Sequence, residues 1–177
     1  MTAAVVITGA PGAGKSSVLD ALSTLLEIDG VEHGATESEE LARGVPSLPS
    51  ELLAAQLRVV IGLQRRAGRS LFLVAFTAES AEQLRGVLDA CAVERTLVVC
   101  LRAPAGLLAA RLAAREPDRW PGKAGLIAHA RELAAVCPAI DGVDETVDTD
   151  GRDAEDVARE LLGAMRARGL VGGAGRS

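Results

Sequence analysis

The sequence is poor in aromatic residues, asparagine and cysteine. It holds two phenylalanines, one tryptophan and no tyrosine among 177 residues, while apolar residues make up 49% of it. The core must therefore be built from leucine, valine, alanine and isoleucine, and this apolar content excludes a disordered polar chain. Because asparagine is absent altogether, the chain lacks the Asn-Lys-x-Asp element with which GTPases read guanine. Three cysteines without a Cys-x-x-Cys pair indicate buried thiols in a reducing compartment, not a disulfide framework or a zinc site.

Long charged runs and long apolar runs are also missing. The formal net charge is -5, and lysine and arginine form no basic run, which argues against a nucleic-acid or anionic-membrane binder. No apolar stretch approaches the roughly 20 residues of a membrane span, and no signal-peptide pattern opens the chain. The sequence predicts a cytoplasmic protein, monomeric or homodimeric, with no nucleic-acid and no membrane partner.

Apolar patterns predict strands that alternate with helices. Predicted strands cover residues 3–8, 30–35, 70–76, 96–101 and 145–147. Predicted helices cover residues 16–26, 51–67, 81–90, 105–115, 124–136 and 153–168. Such alternation is typical of a parallel sheet with helices on both faces, a three-layer α/β/α sandwich. One domain is expected over residues 1–168, followed by a flexible tail at 169–177.

A glycine-rich motif joins the first predicted strand to the first predicted helix. Gly9-Ala-Pro-Gly-Ala-Gly14-Lys15-Ser16 matches GxxxxGK(S/T) in full, in the strand-to-helix context that the motif requires. Its glycines let backbone N–H groups surround a phosphate, and the helix adds its positive N-terminal end. Lys15 is expected to reach the β- and γ-phosphates, and the Ser16 hydroxyl to bind Mg²⁺. The predicted nucleotide-binding residues here are Gly9, Ala10, Pro11, Gly12, Ala13, Gly14, Lys15, Ser16 and Ser17.

Other elements of the chain narrow the class of nucleotide-binding protein. The only DxxG sequence at a strand end, residues 148–151, comes too late for a GTPase switch loop. The strand at 71–76 is followed by Thr77-Ala-Glu79, so an ordinary Walker B aspartate is missing there. These absences favour a small phosphotransferase over a switch or a motor.

An arginine-rich segment predicts a lid. Arg111 and Arg115 are four residues apart and share a helix face, and Arg119 follows in a proline- and glycine-containing break. Guanidinium groups stabilise the charge of a phosphoryl group in transfer, so Arg115 and Arg119 are predicted catalytic residues of a helical lid at about 111–128. The alternative is a solvated charged face with acidic partners such as Glu116.

Two carboxylates that follow the second predicted strand are candidates for the acceptor side. Glu37 is the first choice for the catalytic base and Glu39 the second, because strand ends of a parallel sheet face the ligand crevice. Alternatively, these acidic residues belong to a helix N-terminus capped by Thr36 or Ser38. Arg43 and Arg58 are candidates for orienting an anionic acceptor.

These motifs together resemble the P-loop nucleoside and small-molecule kinase group, which includes nucleoside-monophosphate, shikimate, adenylylsulfate and chloramphenicol kinases. The resemblance implies ATP as the phosphate donor and a five-stranded parallel sheet in the order 2-3-1-4-5. It also implies that Asp148 and Thr149 close the adenine pocket and that Arg111 lies against the adenine. The chain departs from the group at Glu37-Ser-Glu39, where many relatives carry Asp-x-Asp.

Two functions follow from these observations. The first is an ATP-dependent phosphotransferase that moves the γ-phosphate of Mg-ATP to a hydroxyl or phosphate of a small-molecule acceptor. The second is an ATP-binding regulatory module, or a slow ATPase, without such an acceptor. The sequence does not identify the acceptor.

Overall fold

The structure is a computed structural model that describes residues 1–41, 43–46 and 48–172. Its centre is a five-stranded, wholly parallel sheet in the order β2-β3-β1-β4-β5, as the resemblance implied. The strands are β1 (Ala3–Gly9), β2 (Gly34–Glu37), β3 (Leu71–Ala75), β4 (Arg95–Arg102) and β5 (Glu145–Asp148). The sheet and its helices confirm the predicted P-loop α/β/α fold. No helix in the described ranges is long and apolar enough to cross a membrane.

Seven helices cover the two faces of the sheet in the described part of the chain. They are α1 (Lys15–Ile28), α2 (Ser38–Leu41), α3 (Ser50–Arg66), α4 (Ala81–Cys91), α5 (Ala105–Arg115), α6 (Lys123–Val136) and α7 (Ala154–Ala167). A short 3-10 helix, Cys137–Ala139, follows α6. Most of these bounds lie within two residues of the prediction, because their apolar periodicity is regular.

Alternation along β1 divides the core into two layers. Val5 and Ile7 point to one face, where they pack with buried residues of α1, α5, α6 and α7. Ala4 and Val6 point to the other face, where they pack with buried residues of α3 and α4. Every residue of β1 is buried, so the strand that leads into the glycine-rich loop is fixed between two helical layers.

The predicted burial of the thiols is confirmed: Cys91, Cys100 and Cys137 are free thiols and all are buried. Burial raises the pKa of the Cys91 thiol to about 11 and that of the Cys100 thiol to about 12. These thiols are therefore protonated near neutral pH.

Two parts of the sequence prediction need correction. β2 lies at Gly34–Glu37 instead of residues 30–35, since Gly34 pairs with Phe72 and Glu37 with Ala75. The flexible tail was predicted to begin at residue 169, but Leu170 and Val171 are buried against the core. The rest of the predicted tail, residues 173–177, lies outside the described residues.

Candidate active site

The glycine-rich loop has a backbone that only glycine adopts readily. Gly9, Gly12 and Gly14 have φ values of 140°, 84° and 99°. A Cβ atom on Gly9 would lie 2.5 Å from the Leu101 carbonyl oxygen, and one on Gly12 would lie 3.1 Å from the Leu108 carbonyl oxygen. The first and second of these glycines therefore also allow close packing of the loop against β4 and α5.

The start of α1 offers free hydrogen-bond donors. Gly14 is its N-cap residue and supplies no side-chain cap. Val18 N–H donates to the Gly14 carbonyl, but the N–H groups of Lys15, Ser16 and Ser17 find no acceptor among the described residues. Such groups at a helix N-terminus bind anions, and the dipole of a 14-residue helix adds to the attraction.

Lys15 is buried at the centre of this loop. Its ammonium group donates to the carbonyl oxygens of Gly9, at 3.0 Å, and Ala10, at 3.4 Å. Glu39 lies 3.8 Å away as its ion-pair partner. Burial lowers the pKa of Lys15 below its usual value, the nearby charge of Glu39 opposes this shift, and the charge of Arg115 adds to it.

The two candidate carboxylates occupy different elements. Glu37 is the last residue of β2, whereas Glu39 lies in α2. Glu39 is the one that pairs with Lys15, and it also accepts a hydrogen bond from the Thr77 hydroxyl. Ser38, between them, is fully buried and donates to the Ala75 carbonyl, 3.0 Å away, so it anchors α2 to β3. The end of β2 and the start of α2 thus place Glu39 next to the phosphate loop.

A cleft of about 280 Å³ opens beside the loop. Arg111, from α5, bridges it: its guanidinium donates to the Gly12 carbonyl at 3.2 Å, and to the Thr149 hydroxyl and carbonyl at 3.2 and 2.9 Å. The residues that line this cleft come from the loop, α1, α5, the β5–α7 connection and the start of α7: Gly12, Ala13, Gly14, Ser17, Val18, Arg111, Arg115, Thr149, Arg152, Asp153, Ala154 and Val157. Its place next to the phosphate loop suits a nucleotide base.

Asp148 does not line this cleft. Its carboxylate accepts two hydrogen bonds from the Arg102 guanidinium, at 2.7 and 2.8 Å, on the exposed sheet edge. The bonds from Arg102 lower the pKa of Asp148 below its usual range. Thr149, the next residue, is buried and faces Arg111, so the two residues that the resemblance assigned to one pocket have different surroundings.

The predicted lid residues also have different surroundings. Arg115 lines the cleft and pairs with Glu116 at 2.6 Å, whereas Arg119 lies in a separate surface groove with Trp120. Lys123 holds the break between α5 and α6 together. Its ammonium group donates to the carbonyl oxygens of Ala113 and Glu116, at 2.7 and 2.8 Å, and to Asp118 at 2.7 Å.

The candidate acceptor arginines are separated as well. Arg43 is exposed and pairs with Glu40. Arg58 lines a cleft of about 500 Å³ between α3 and α4 that also contains Glu51, Glu82 and Phe76. The cleft combines one guanidinium with carboxylates, amides and apolar surface, so it offers both signs of charge to a ligand.

Sequence reasoning missed several groups at this edge of the sheet. Thr77 binds Glu39, and the buried Thr8 accepts a hydrogen bond from the Ala78 N–H at 3.0 Å. Glu79 lies 2.9 Å from the His129 ring of α6, fifty residues along the chain. The position of Thr77 and Glu79 just after β3 is the only sequence signal that points to them.

Comparison with known proteins places the fold but not the family. No protein-family model matches the chain, and no curated protein sequence matches it. Among solved structures, it resembles shikimate kinase from Acinetobacter baumannii in complex with shikimate, with 20% identity, 97% of both chains covered and a TM-score of 0.60. It also resembles APS kinase from Mycobacterium tuberculosis in complex with AMPPNP and APS, with 18% identity, 93% of this chain and 98% of that chain covered, and a TM-score of 0.65.

A gluconokinase from Sinorhizobium meliloti 1021 is a third such structure, with 23% identity, 95% of both chains covered and a TM-score of 0.64. At these identities the likeness shows the fold alone. The chain has the fold of the P-loop small-molecule kinase group.

Proposed function

We propose that the chain is a small-molecule kinase that transfers the γ-phosphate of ATP, in the presence of Mg²⁺, to a hydroxyl or phosphate group of a small molecule. The observation that supports this most directly is the 3.8 Å distance between the Lys15 ammonium and the Glu39 carboxylate. A kinase needs a cation on the transferred phosphate and a carboxylate near the acceptor, and here both meet at one edge of the sheet. The structural neighbours are small-molecule kinases, which agrees with this choice.

The donor nucleotide has a site whose residues fit it. The free N–H groups at the start of α1 and the Lys15 ammonium suit the phosphates, and the cleft at Arg111 and Thr149 suits the base. For the metal, the Ser16 hydroxyl and the Glu37 carboxylate are oxygen donors of the kind that Mg²⁺ prefers. When bound, Mg²⁺ would supply positive charge to the phosphates.

Glu39 is our candidate for the catalytic base, because the Thr77 hydroxyl and the Lys15 ammonium fix its carboxylate at the phosphate loop. Its role is to take the proton of the acceptor hydroxyl. Glu37, the first choice from the sequence, makes no ion pair with Lys15 within the described residues and remains a prediction. Arg115 is the lid cation at the cleft, and Arg119 would join it only after the segment at 111–128 closes.

The experiment that tests this proposal is an acceptor screen. ADP release from Mg-ATP is measured across nucleotides, sugars, aminoglycosides and other hydroxylated metabolites, with Lys15→Ala as the blank. Stimulation by one compound class, with the phosphorylated product detected by mass spectrometry, is the expected result. ATP binding without stimulation by any class would contradict it.

The second candidate is an ATP-binding module or slow ATPase without an acceptor. The observation that favours it is that Glu79, the carboxylate that follows β3, is bound to His129 and so is not held for an acceptor. Under this alternative, Glu39→Gln leaves the basal rate of ATP hydrolysis unchanged. The cytoplasmic location predicted from the sequence stays a prediction.

A further inference from the structure

Helix α3 has an apolar face that points away from the core. Leu57 and Ile61 are buried against the sheet, as expected for a surface helix. On the opposite side Leu52, Val59 and Leu63 are 53%, 63% and 52% exposed. Surface helices normally carry polar residues there, so a clustered apolar face of this kind indicates an interaction surface.

The spacing on this face is that of a helix-to-helix contact. Leu52 and Val59 are seven residues apart, and so are Ala55 and Gly62, which lie between and beyond them. These four residues, which we call the α3 seam, follow the a and d positions of a heptad repeat. Because Ala55 has only a methyl group and Gly62 has no side chain, a second helix can approach closely. The expected partner is therefore a helix.

The same surface carries both a recess and a projection. A groove of about 510 Å³, lined mainly by apolar side chains, runs beside Leu52, Ala55 and Val59 of the seam, and Leu41 and Leu48 also line it. Leu63 projects from the same helix face near its C-terminal end. A twofold interface requires a self-complementary patch of this kind, in which a projection of each copy meets a recess of the other.

The charges at the two ends of α3 suit a second copy of the same helix as the partner. Glu51 lies in its first turn and Arg66 in its last turn, and neither forms an ion pair within residues 1–41, 43–46 and 48–172. If two copies of α3 pack antiparallel about an axis near Val59, Glu51 of each copy lies beside Arg66 of the other. Antiparallel packing also places opposite helix dipole ends together.

From the seam, the groove and the end charges we infer that this face binds a second copy of the same chain, as an antiparallel α3–α3 homodimer. This inference goes beyond the proposed kinase function and does not depend on it. A 17-residue helix is about 25 Å long, enough for the seam to form the centre of a twofold interface. The net charge of -5 disfavours the other broad use of an apolar face, attachment to an anionic membrane.

The first test is the mass of the full chain in solution, measured by analytical ultracentrifugation over a range of concentrations. We expect a species of twice the 18.2 kDa of one chain. Val59→Glu places two carboxylates against each other at the axis and should weaken dimerisation at least about 100-fold. Ile28→Glu, at a residue that is 76% exposed on α1, is the matched control and should leave the dimer intact.

The second test is a charge exchange between the ends of the helix. Glu51→Arg and Arg66→Glu should each weaken the dimer by about threefold to tenfold, and the double variant should recover the original dissociation constant. Glu51, Val59 and Arg66 are exposed, so we expect these variants to fold. Circular dichroism and thermal unfolding of each variant check this.

Several outcomes would overturn the inference. One is a single 18.2 kDa species at every concentration. Another is a dimer that Val59→Glu leaves unchanged, or end-charge variants whose effects do not compensate each other. A monomer that floats with anionic vesicles, and loses this binding on Val59→Glu, would assign the face to a membrane surface instead.

Discussion

The Lys15 ammonium lies 3.8 Å from a carboxylate oxygen of Glu39, and the Thr77 hydroxyl donates a hydrogen bond to the same oxygen. Three elements meet at this point, since Lys15 opens α1, Glu39 belongs to α2 and Thr77 follows β3. The Glu39 carboxylate, a group of the protein itself, thus positions the lysine that is expected to bind phosphate. Glu39 is exposed on one side, so a substrate can approach it.

We expect Glu39→Gln to reduce the turnover of the proposed kinase about 100-fold or more, because a general base contributes roughly 10² to 10⁴ to the rate. The dissociation constant for ATP should change by less than about threefold. Steady-state kinetics with the acceptor found by the screen would measure both. Glu40→Gln, at an exposed neighbour, is the control, and a loss confined to Glu37→Gln would transfer the role to Glu37.

Nucleotide binding should take up protons at pH values between the pKa of Lys15 in the free protein and its higher pKa in the complex. Burial lowers the pKa of Lys15 in the free protein, and bound phosphates should raise it by favouring the charged form. Affinity for ADP is therefore expected to fall as the pH rises through the pKa of Lys15 in the free protein. Isothermal titration calorimetry in buffers of different ionisation enthalpy measures the uptake.

Lys15→Arg is the control for this experiment, because a guanidinium stays charged over the same pH range. Its binding should show no proton uptake. Uptake that persists in Lys15→Arg would show that another group is responsible.

Arg111→Ala should affect both stability and nucleotide binding. The three hydrogen bonds of its guanidinium join the phosphate loop to the β5–α7 connection. Their loss should lower the free energy of unfolding by about 2 kcal/mol and weaken ATP binding by about tenfold or more. Denaturant unfolding and equilibrium binding measure these effects. Arg115 lines the same cleft, but within the described part of the chain its guanidinium bonds only to Glu116. Arg115→Ala should therefore change the free energy of unfolding by less than about 0.5 kcal/mol.

Lys123→Met should lower the free energy of unfolding by about 1–2 kcal/mol, because two carbonyl oxygens at the end of α5 lose their charged donor. Asp118→Asn removes only the exposed ion pair of the same ammonium and should cost less than about 1 kcal/mol. Urea denaturation of both variants makes the comparison. Equal losses would contradict the assignment of the carbonyl bonds as the stabilising ones.

Much of the fold was predictable from local patterns. β1, the phosphate loop and α1 follow from an uninterrupted apolar run, positive-φ glycines and a regular helical period. β2 was predicted four residues too early at its start because it is a short edge strand with only β3 beside it, so its sequence carries no continuous apolar run. The four residues of α2 are too few for a helical period to show.

The candidate site was predictable only in part, because its contacts join distant parts of the chain. The motif located Lys15 and the loop, since those residues are adjacent in sequence. The pairing of Glu39 with Thr77, or of Glu79 with His129, depends on how strands and helices pack, and no local pattern encodes it. For Arg111 and Thr149 only the family resemblance suggested a shared pocket, whereas Asp148 proved to be bound to Arg102.

The Arg111 bridge also determines when the cleft beside the glycine-rich loop is complete during synthesis. Gly12 comes 99 residues before Arg111, and Thr149 comes 38 residues after it. A nascent chain that has left the ribosome only as far as α5 has the phosphate loop but not the far wall of the cleft. Since domains are made from the N-terminus onward, that wall is added only when β5 joins the sheet beside β4. A growing chain therefore completes this cleft only once nearly the whole sheet has formed.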